Sequence, residues 1–207
     1  WKNDRWGILI GGRLDKHNMV DNVIFSPRAN LRFNPTQNIN LRLSYSSGFR
    51  APQAFDEDMH IENVGGTVAM IERAKDLKEE KSQSFSVSAD MYHRFGAFQT
   101  NLLIEGFYTR LTDVFVLGKP YDRGDGILVK TRSNGPGAKV MGLTLEGKVA
   151  YLSILQIQAG LTLQRSRYDE PHKWHDDAPA EKKIFRTPDT YGYFTATCTP
   201  IKPLSIA

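Results

Sequence analysis

The sequence predicts an all-β chain, a segment of an antiparallel transmembrane β-barrel with eight strands and the start of a ninth. Three observations carry this. Apolar and polar residues alternate with a period of two along most of the 207 residues, as in a sheet with two unlike faces. The alternating runs are long. They reach or exceed the roughly 9–11 residues an oblique strand needs to cross a bilayer, against a mode of about 5–6 in ordinary sheets. Short turns and long polar loops follow one another in strict succession, the connection pattern of an outer-membrane barrel.

The elements follow in chain order. Asp4 to Asp15 reads as extended, with its facing left open by the pattern. Pro27 to Asn34 sets Ala29, Leu31 and Phe33 against Arg28, Asn30 and Arg32. Asn38 to Ser46 sets Ile39, Leu41, Leu43 and Tyr45 against Asn40, Arg42, Ser44 and Ser46. Ser82 to His93 is the clearest case, with Phe85, Val87, Ala89 and Met91 opposite Ser84, Ser86, Ser88 and Asp90. In Phe98 to Arg110, Leu103 and Phe107 fall in the polar register with Gln99, Asn101 and Glu105. Ala138 to Tyr151 sets Met141, Leu143, Leu145, Val149 and Tyr151 against Thr144, Glu146 and Lys148. Ile154 to Ser166 sets Leu155, Ile157, Ala159, Leu161 and Leu163 against Gln156, Gln158, Thr162 and Gln164. Asp189 to Thr199 is extended with its facing open, and a ninth strand begins near Pro203.

The short turns are Asn34 to Gln37, Arg94 to Ala97, Tyr151 to Ser153 and Pro200 to Pro203; the long loops are roughly 16–26, 48–81, 118–135 and 169–188. Trp6, Tyr45, Phe98, Tyr108 and Tyr151 lie near strand ends, where aromatic girdles meet the membrane interface. A soluble β-sandwich with one wet face is the rival reading. Strand length, and a polar face rich in Ser, Gln, Asn and Arg, favour the barrel.

Composition removes other classes. The longest run without a polar residue, Trp6 to Gly12, is far short of the roughly 18 residues of a spanning helix. A single cysteine, Cys198, rules out an internal disulfide framework and a multi-cysteine metal site. The balance of 27 basic and 23 acidic residues shows no basic stripe, so no nucleic-acid partner is expected. No catalytic triad, carboxylate pair or phosphate-cradling loop stands out, and neither an enzyme activity nor a resident cofactor or metal is expected. The chain opens on Trp1 and closes inside an extended segment, which suggests an excerpt of a longer protein.

Ser44-Tyr-Ser-Ser-Gly-Phe-Arg-Ala-Pro52 resembles the strand-to-loop signature of TonB-dependent outer-membrane receptors, and Gly48, Phe49, Arg50, Ala51 and Pro52 are its motif residues. Further pieces similar to that family follow in order. They are Trp6 to Asp15, Phe25-Ser-Pro-Arg28, Leu77-Lys-Glu-Glu-Lys-Ser82, Glu105-Gly-Phe-Tyr108, Asp113-Val-Phe-Val116, Ser133-Asn-Gly135, Gly142-Leu-Thr-Leu-Glu146 and Phe185-Arg-Thr-Pro188. The resemblance implies a 22-stranded barrel in the outer membrane, of which residues 1–207 are part. A plug domain and the other strands are expected outside this chain. It implies import of a scarce, bulky nutrient, an iron chelate first, with haem or cobalamin as alternatives, energised by the TonB complex. The implied partners are the protein's own plug, TonB, a small-molecule metal chelate and outer-membrane lipid. A soluble β-rich ligand-binding domain is the alternative of another class.

Two departures from the family pattern stand out. Carboxylates that the family often places to hold plug arginines are Ser86 and Thr144 here, and an Asn-Pro pair is replaced by Lys75-Asp76. Arg28, Arg32, Arg42, Asp90, Glu105 and Glu146 are expected to face the lumen and plug, the arginines either drawing in anionic cargo or pairing with those acids. Arg50 is expected to act structurally at the rim, with Gly48 and Pro52 shaping a turn. Candidate ligand contacts are His60, His172, Trp174 and His175, which could supply imidazole and an aromatic stacking surface; solvated loop residues are the alternative account.

Overall fold

A strand that alternates every second residue can shield only one face, and its backbone must be paired along both edges. The chain meets both demands by laying long strands side by side. The computed structural model describes residues 2–206 apart from 19, 21, 53–68, 125–127, 174–178, 185–186 and 202–203. In chain order the strands are β1 (Trp6–Asp15), β2 (Ile24–Thr36), β3 (Ile39–Arg50), β4 (Ala69–Arg73), β5 (Glu80–Phe95), β6 (Phe98–Thr112), β7 (Phe115–Leu117), β8 (Tyr121–Asp122), β9 (Leu128–Asn134), β10 (Ala138–Tyr151), β11 (Leu155–His172), β12 (Glu181–Lys183), β13 (Thr190–Ile201) and β14 (Leu204–Ile206).

The eight long strands expected from the periodicity form one antiparallel sheet in the order β1-β2-β3-β5-β6-β10-β11-β13, with β14 as the ninth and β12 paired to β11. Several elements exceed the sequence reading. β2 starts earlier and ends later than the Pro27–Asn34 run, β3 reaches Arg50, and β11 reaches His172. Gly48 therefore lies inside a strand opposite Ser82, and the expectation that it shapes a turn is corrected. The loops between β3 and β10 are not bare either. They hold a second sheet in which β9 pairs parallel with β4 and antiparallel with β7 and β8.

Register fixes which residues share a face. Ile8, Leu31, Leu43, Val87, Gly106, Leu143 and Leu163 form one row across the sheet. Arg42, Ser88, Glu105, Thr144, Thr162 and Tyr191 form a row on the opposite face. The two strands of open facing are thereby settled. Trp6, Ile8, Ile10 and Leu14 of β1 and Phe194 and Cys198 of β13 lie on the apolar face; Tyr191 and Tyr193 lie on the polar one.

Shielding runs opposite to that of a water-soluble sheet. Val87 is 59% exposed and Leu163 46%, whereas Thr162 is 6% exposed and Ser166 3%. Along β5, Ser82, Ser84, Ser86 and Ser88 are half-buried while Phe85 and Val87 are exposed. A sandwich would bury the leucines under a second sheet; among the described residues nothing covers them. A bilayer is the solvent in which such a face is stable.

The dimensions agree. One aromatic row on the apolar face joins Tyr45, Phe85 and Tyr108, with the first two rings 4.8 Å apart. The other joins Phe95, Phe98 and Tyr151, with centroids 5.4 and 4.9 Å apart. Ten positions separate Phe85 from Phe95. At about 3.3 Å per residue and a tilt of about 40°, the rows stand about 25 Å apart, the height of a barrel's apolar band. The short turns close the second row's side. In one of them Gly96 takes φ 58°, a left-handed conformation that glycine adopts without steric cost.

Two outcomes follow for the full-length protein. Leu143→Arg is expected to destabilise the membrane-folded state by about 2–4 kcal/mol, and Gln158→Arg on the polar face by less than about 1, as measured by urea unfolding in bilayers. In a Cys198→Ser background, a cysteine at Arg123 on the long-loop side should react with an impermeant maleimide on intact cells. One at Ser153 in a short turn should stay unlabelled; the reverse pattern inverts the topology.

Candidate functional site

The polar face is the candidate surface for cargo and plug. Of the six charged residues expected there, Arg28, Arg32 and Arg42 sit on β2 and β3, and Asp90, Glu105 and Glu146 on β5, β6 and β10, where Arg94 and Lys148 also share the polar phase. The arginines have room because β1 presents glycines to them. A Cβ on Gly11 would meet Arg28 Nε at 2.9 Å, and one on Gly7 would meet Arg32 Nε at 3.4 Å.

Among the described residues no ion pair joins these arginines to the three acids, so the pairing considered from sequence is not formed. Arg42 Nε instead donates to Asn40 Oδ1 at 2.9 Å, and Arg32 Nε is buried without a hydrogen-bond partner. Asp90 accepts from the Asn101 amide and, at 2.9 Å, from the Tyr92 hydroxyl. Short neutral bonds stitch the rest of the face: Asn30 to Ser44 at 2.6 Å, Ser84 with Thr109 at 2.9 Å and Thr144 with Thr162 at 3.0 Å.

Two polar-face residues escaped the sequence reading because the phase of β13 was open. The Tyr193 ring lies over Gly160, where a Cβ would come within 2.3 Å of it. Its hydroxyl accepts from Gln158 Nε2 at 2.7 Å. Tyr191 follows on the same face beside Thr162. Gly160, a glycine in an otherwise regular alternation, was the available signal, since strand glycines mark close approach of another group.

At the long-loop rim, three sequence motifs distant in the chain converge on Asn134. Its Oδ1 accepts the Lys78 N–H at 2.8 Å, and its Nδ2 donates to the carbonyls of Lys78 at 3.1 Å and Asp113 at 2.8 Å. Beside it, Glu80 Oε2 accepts the Phe115 N–H at 3.0 Å and lies 3.7 Å from Arg50 Nη2. The Arg50 guanidinium rests 4.8 Å from the Phe115 ring centroid. Arg50 is thus a rim tie between β3, β5 and β7, with Ala51 and Pro52 buried just beyond it. At Glu79, burial raises the carboxyl pKa, but hydrogen bonds from its own backbone and from Lys81, with the charge of Lys78, outweigh it and hold the group below its usual range. The neighbouring β9 contributes Val129 and Arg132, both essentially inaccessible.

Of the loop candidates, His172 ends β11 with its ring 5.8 Å from that of Tyr168. His60, Trp174 and His175 lie outside the described residues. Among the described residues no group of three or more His, Cys, Asp or Glu is placed to hold a metal ion.

A sheet with an exposed apolar band, two aromatic rows and a shielded polar face defines a stretch of outer-membrane β-barrel wall. Residues 1–197 match the family described as TonB dependent receptor-like, beta-barrel, and the chain belongs to that family. Its members are receptors and transporters of the bacterial outer membrane. No curated protein matches the chain by sequence.

Solved structures share the fold. The siderophore receptor PirA from Pseudomonas aeruginosa superposes with a TM-score of 0.67 at 16% identity, over 98% of this chain and 41% of that one. A mutant of the ferric enterobactin receptor PfeA from the same organism gives 0.66 at 17%, over 98% and 29%. The FrpB iron transporter from Neisseria meningitidis (F3-3 variant) gives 0.59 at 17%, over 88% and 25%. The chain therefore spans well under half the length of each.

The rim knot makes a testable demand. Asn134→Ala removes three hydrogen bonds that tie the end of β9 to the residues just before β5 and just after β6, and is expected to cost about 1–3 kcal/mol in urea unfolding of the full-length protein.

Proposed function

We propose that this chain is part of the wall of an outer-membrane importer that takes up an iron chelate with energy delivered through TonB. Membership of the receptor family supports the transport class, and the shared fold with siderophore receptors and an iron transporter supports iron as the cargo metal. The observation that carries the reading is the group of arginines on the polar face of β2 and β3. Arg28 and Arg42 are exposed and Arg32 half-buried, without an ion-pair partner among the described residues; once a plug fills the lumen and buries them, their charges are costly unless another charged surface meets them. Acidic groups of a plug, and anionic oxygens of a passing chelate, have the right chemistry for Arg28, Arg32 and Arg42. Asp90, Glu105 and Glu146 would receive plug arginines on the other side of the wall. In this proposal the plug and the remaining barrel strands belong to the rest of the protein, outside residues 1–207.

Cargo would first be met by the loops. We assign His172 at the end of β11, Trp174 and His175 between β11 and β12 in sequence, and His60 between β3 and β4 in sequence, as contacts that combine an aromatic plate with imidazoles able to ligate or hydrogen-bond. Replacing His172, Trp174 and His175 together with alanine should weaken binding of the growth-supporting chelate by about 1–3 kcal/mol without lowering the melting temperature, because loop tips carry little of a barrel's stability.

The deciding experiment is growth. A deletion strain carrying this gene should grow on ferric siderophores as sole iron source, and only with TonB intact. Rescue on haem or cobalamin alone would assign the cargo to those classes, and rescue without TonB would overturn the energy coupling.

A further inference from the structure

We propose that Asn134 is a deamidation site that the folded rim joint holds shut, and that its conversion to aspartate or isoaspartate releases the second sheet from the first. Asn134-Gly135 is the chain's single Asn-Gly pair. Such a pair cyclises readily in water, because glycine has no side chain to hinder its own nitrogen. The Gly135 nitrogen gives its proton to hydroxide and attacks Asn134 Cγ. The Cγ–Nδ2 bond breaks, and the leaving nitrogen takes a proton from water and departs as ammonia. Water then opens the resulting succinimide at either carbonyl, giving aspartate or isoaspartate.

Packing and hydrogen bonding both require this labile pair. A Cβ on Gly135 would come within 2.6 Å of Val116 Cγ1, so a larger residue does not fit. Position 134 must accept one backbone N–H and donate to two backbone carbonyls. Asparagine is the short side chain that carries an acceptor and two donors together.

The same contacts restrain the reaction. The Gly135 N–H is donated to the Val114 carbonyl at 2.7 Å, which opposes loss of its proton. The Asn134 carboxamide is fixed by Lys78 and Asp113, so it cannot turn Cγ toward that nitrogen. Asn134 is half-buried, and water is close by. Cyclisation therefore waits for a local opening of the joint.

The product cannot close the joint again. A carboxylate only accepts, so the bonds donated to the carbonyls of Lys78 and Asp113 are lost and a negative charge faces both oxygens. Isoaspartate also lengthens the backbone by one methylene where Asn134 pairs with Phe115. Since β4, β7 and β8 all pair with β9, the whole second sheet loses this tie. None of this chemistry depends on the cargo.

The test incubates the full-length receptor at mildly alkaline pH, folded in nanodiscs or unfolded in urea, and follows the peptide containing residue 134 by mass. Deamidation at Asn134 should be about ten-fold or more slower in the folded receptor. Glu80→Ala removes the neighbouring brace on the Phe115 N–H and leaves the pair itself intact. It should speed the reaction in the folded receptor and leave the rate in urea unchanged. Asn134→Asp, standing for the product, should raise tryptic cleavage between β6 and β10 about ten-fold. Equal rates in the folded and unfolded receptor, a folded rate unmoved by Glu80→Ala, or cleavage of Asn134→Asp at the wild-type rate would each overturn the proposal. Should Asn134→Asp fail to fold, as judged by heat-modifiable gel mobility, wild-type receptor aged in nanodiscs supplies the product, and its deamidated fraction should be cleaved faster than the rest.

Discussion

Everything in this chain depends on backbone hydrogen bonding in a medium that offers none. A strand in hydrocarbon must have its N–H and C=O groups paired by neighbouring strands, because an unsatisfied group there costs several kcal/mol. That demand makes long, antiparallel, mutually registered strands the economical solution. With a period of two, each strand then presents one side chain in two to lipid and the other to the interior. The polar wall, the aromatic rows and the exposed leucines are all consequences. The outer edges, β1 and β14, are where the same requirement calls for further strands.

On the loop side, hydrogen bonding is organised by a few side chains instead of a ladder. Asn134 answers backbone groups of Lys78 and Asp113, and Glu80 answers that of Phe115. Each of these residues sits where a long strand meets a loop. The second sheet is thereby fixed to the first through side-chain bonds, and Arg50 adds a cation–π contact on Phe115. Four of the family motifs, at Arg50, Lys78 to Glu80, Asp113 to Phe115 and Asn134, look scattered in sequence yet meet in one rim joint.

The sequence was legible wherever periodicity acted alone. The serines of β5 and the leucines of β10 and β11 announce their faces because nothing but the pleat decides them. Even Leu103 and Phe107, which break the pattern, do lie on the polar face; Phe107 fills the space over Gly142. Glycine-rich β1 and tyrosine-rich β13 were not legible, since glycine has no polarity and tyrosine suits either face, so only pairing partners fixed them. The sheet of β4, β7, β8 and β9 was hidden for another reason. Its strands are short, and β4 joins β9 across some sixty residues, as Ala69 does Leu128, a pairing that no local window carries. The polar-face charges were placed by alternation, but the grouping of Arg28, Arg32 and Arg42 on two adjacent strands becomes visible only when strands are set in order.

The parallel pairing of β4 with β9 has a mechanical consequence. Parallel strands cannot be neighbours in sequence, so this pair clamps two different loops, one following β3 and the other following β6. Each loop loses the freedom to swing alone, because moving either breaks five residue pairs at once. The two loops are therefore one mechanical unit, and a displacement imposed on either is carried to the other through the shared pairing.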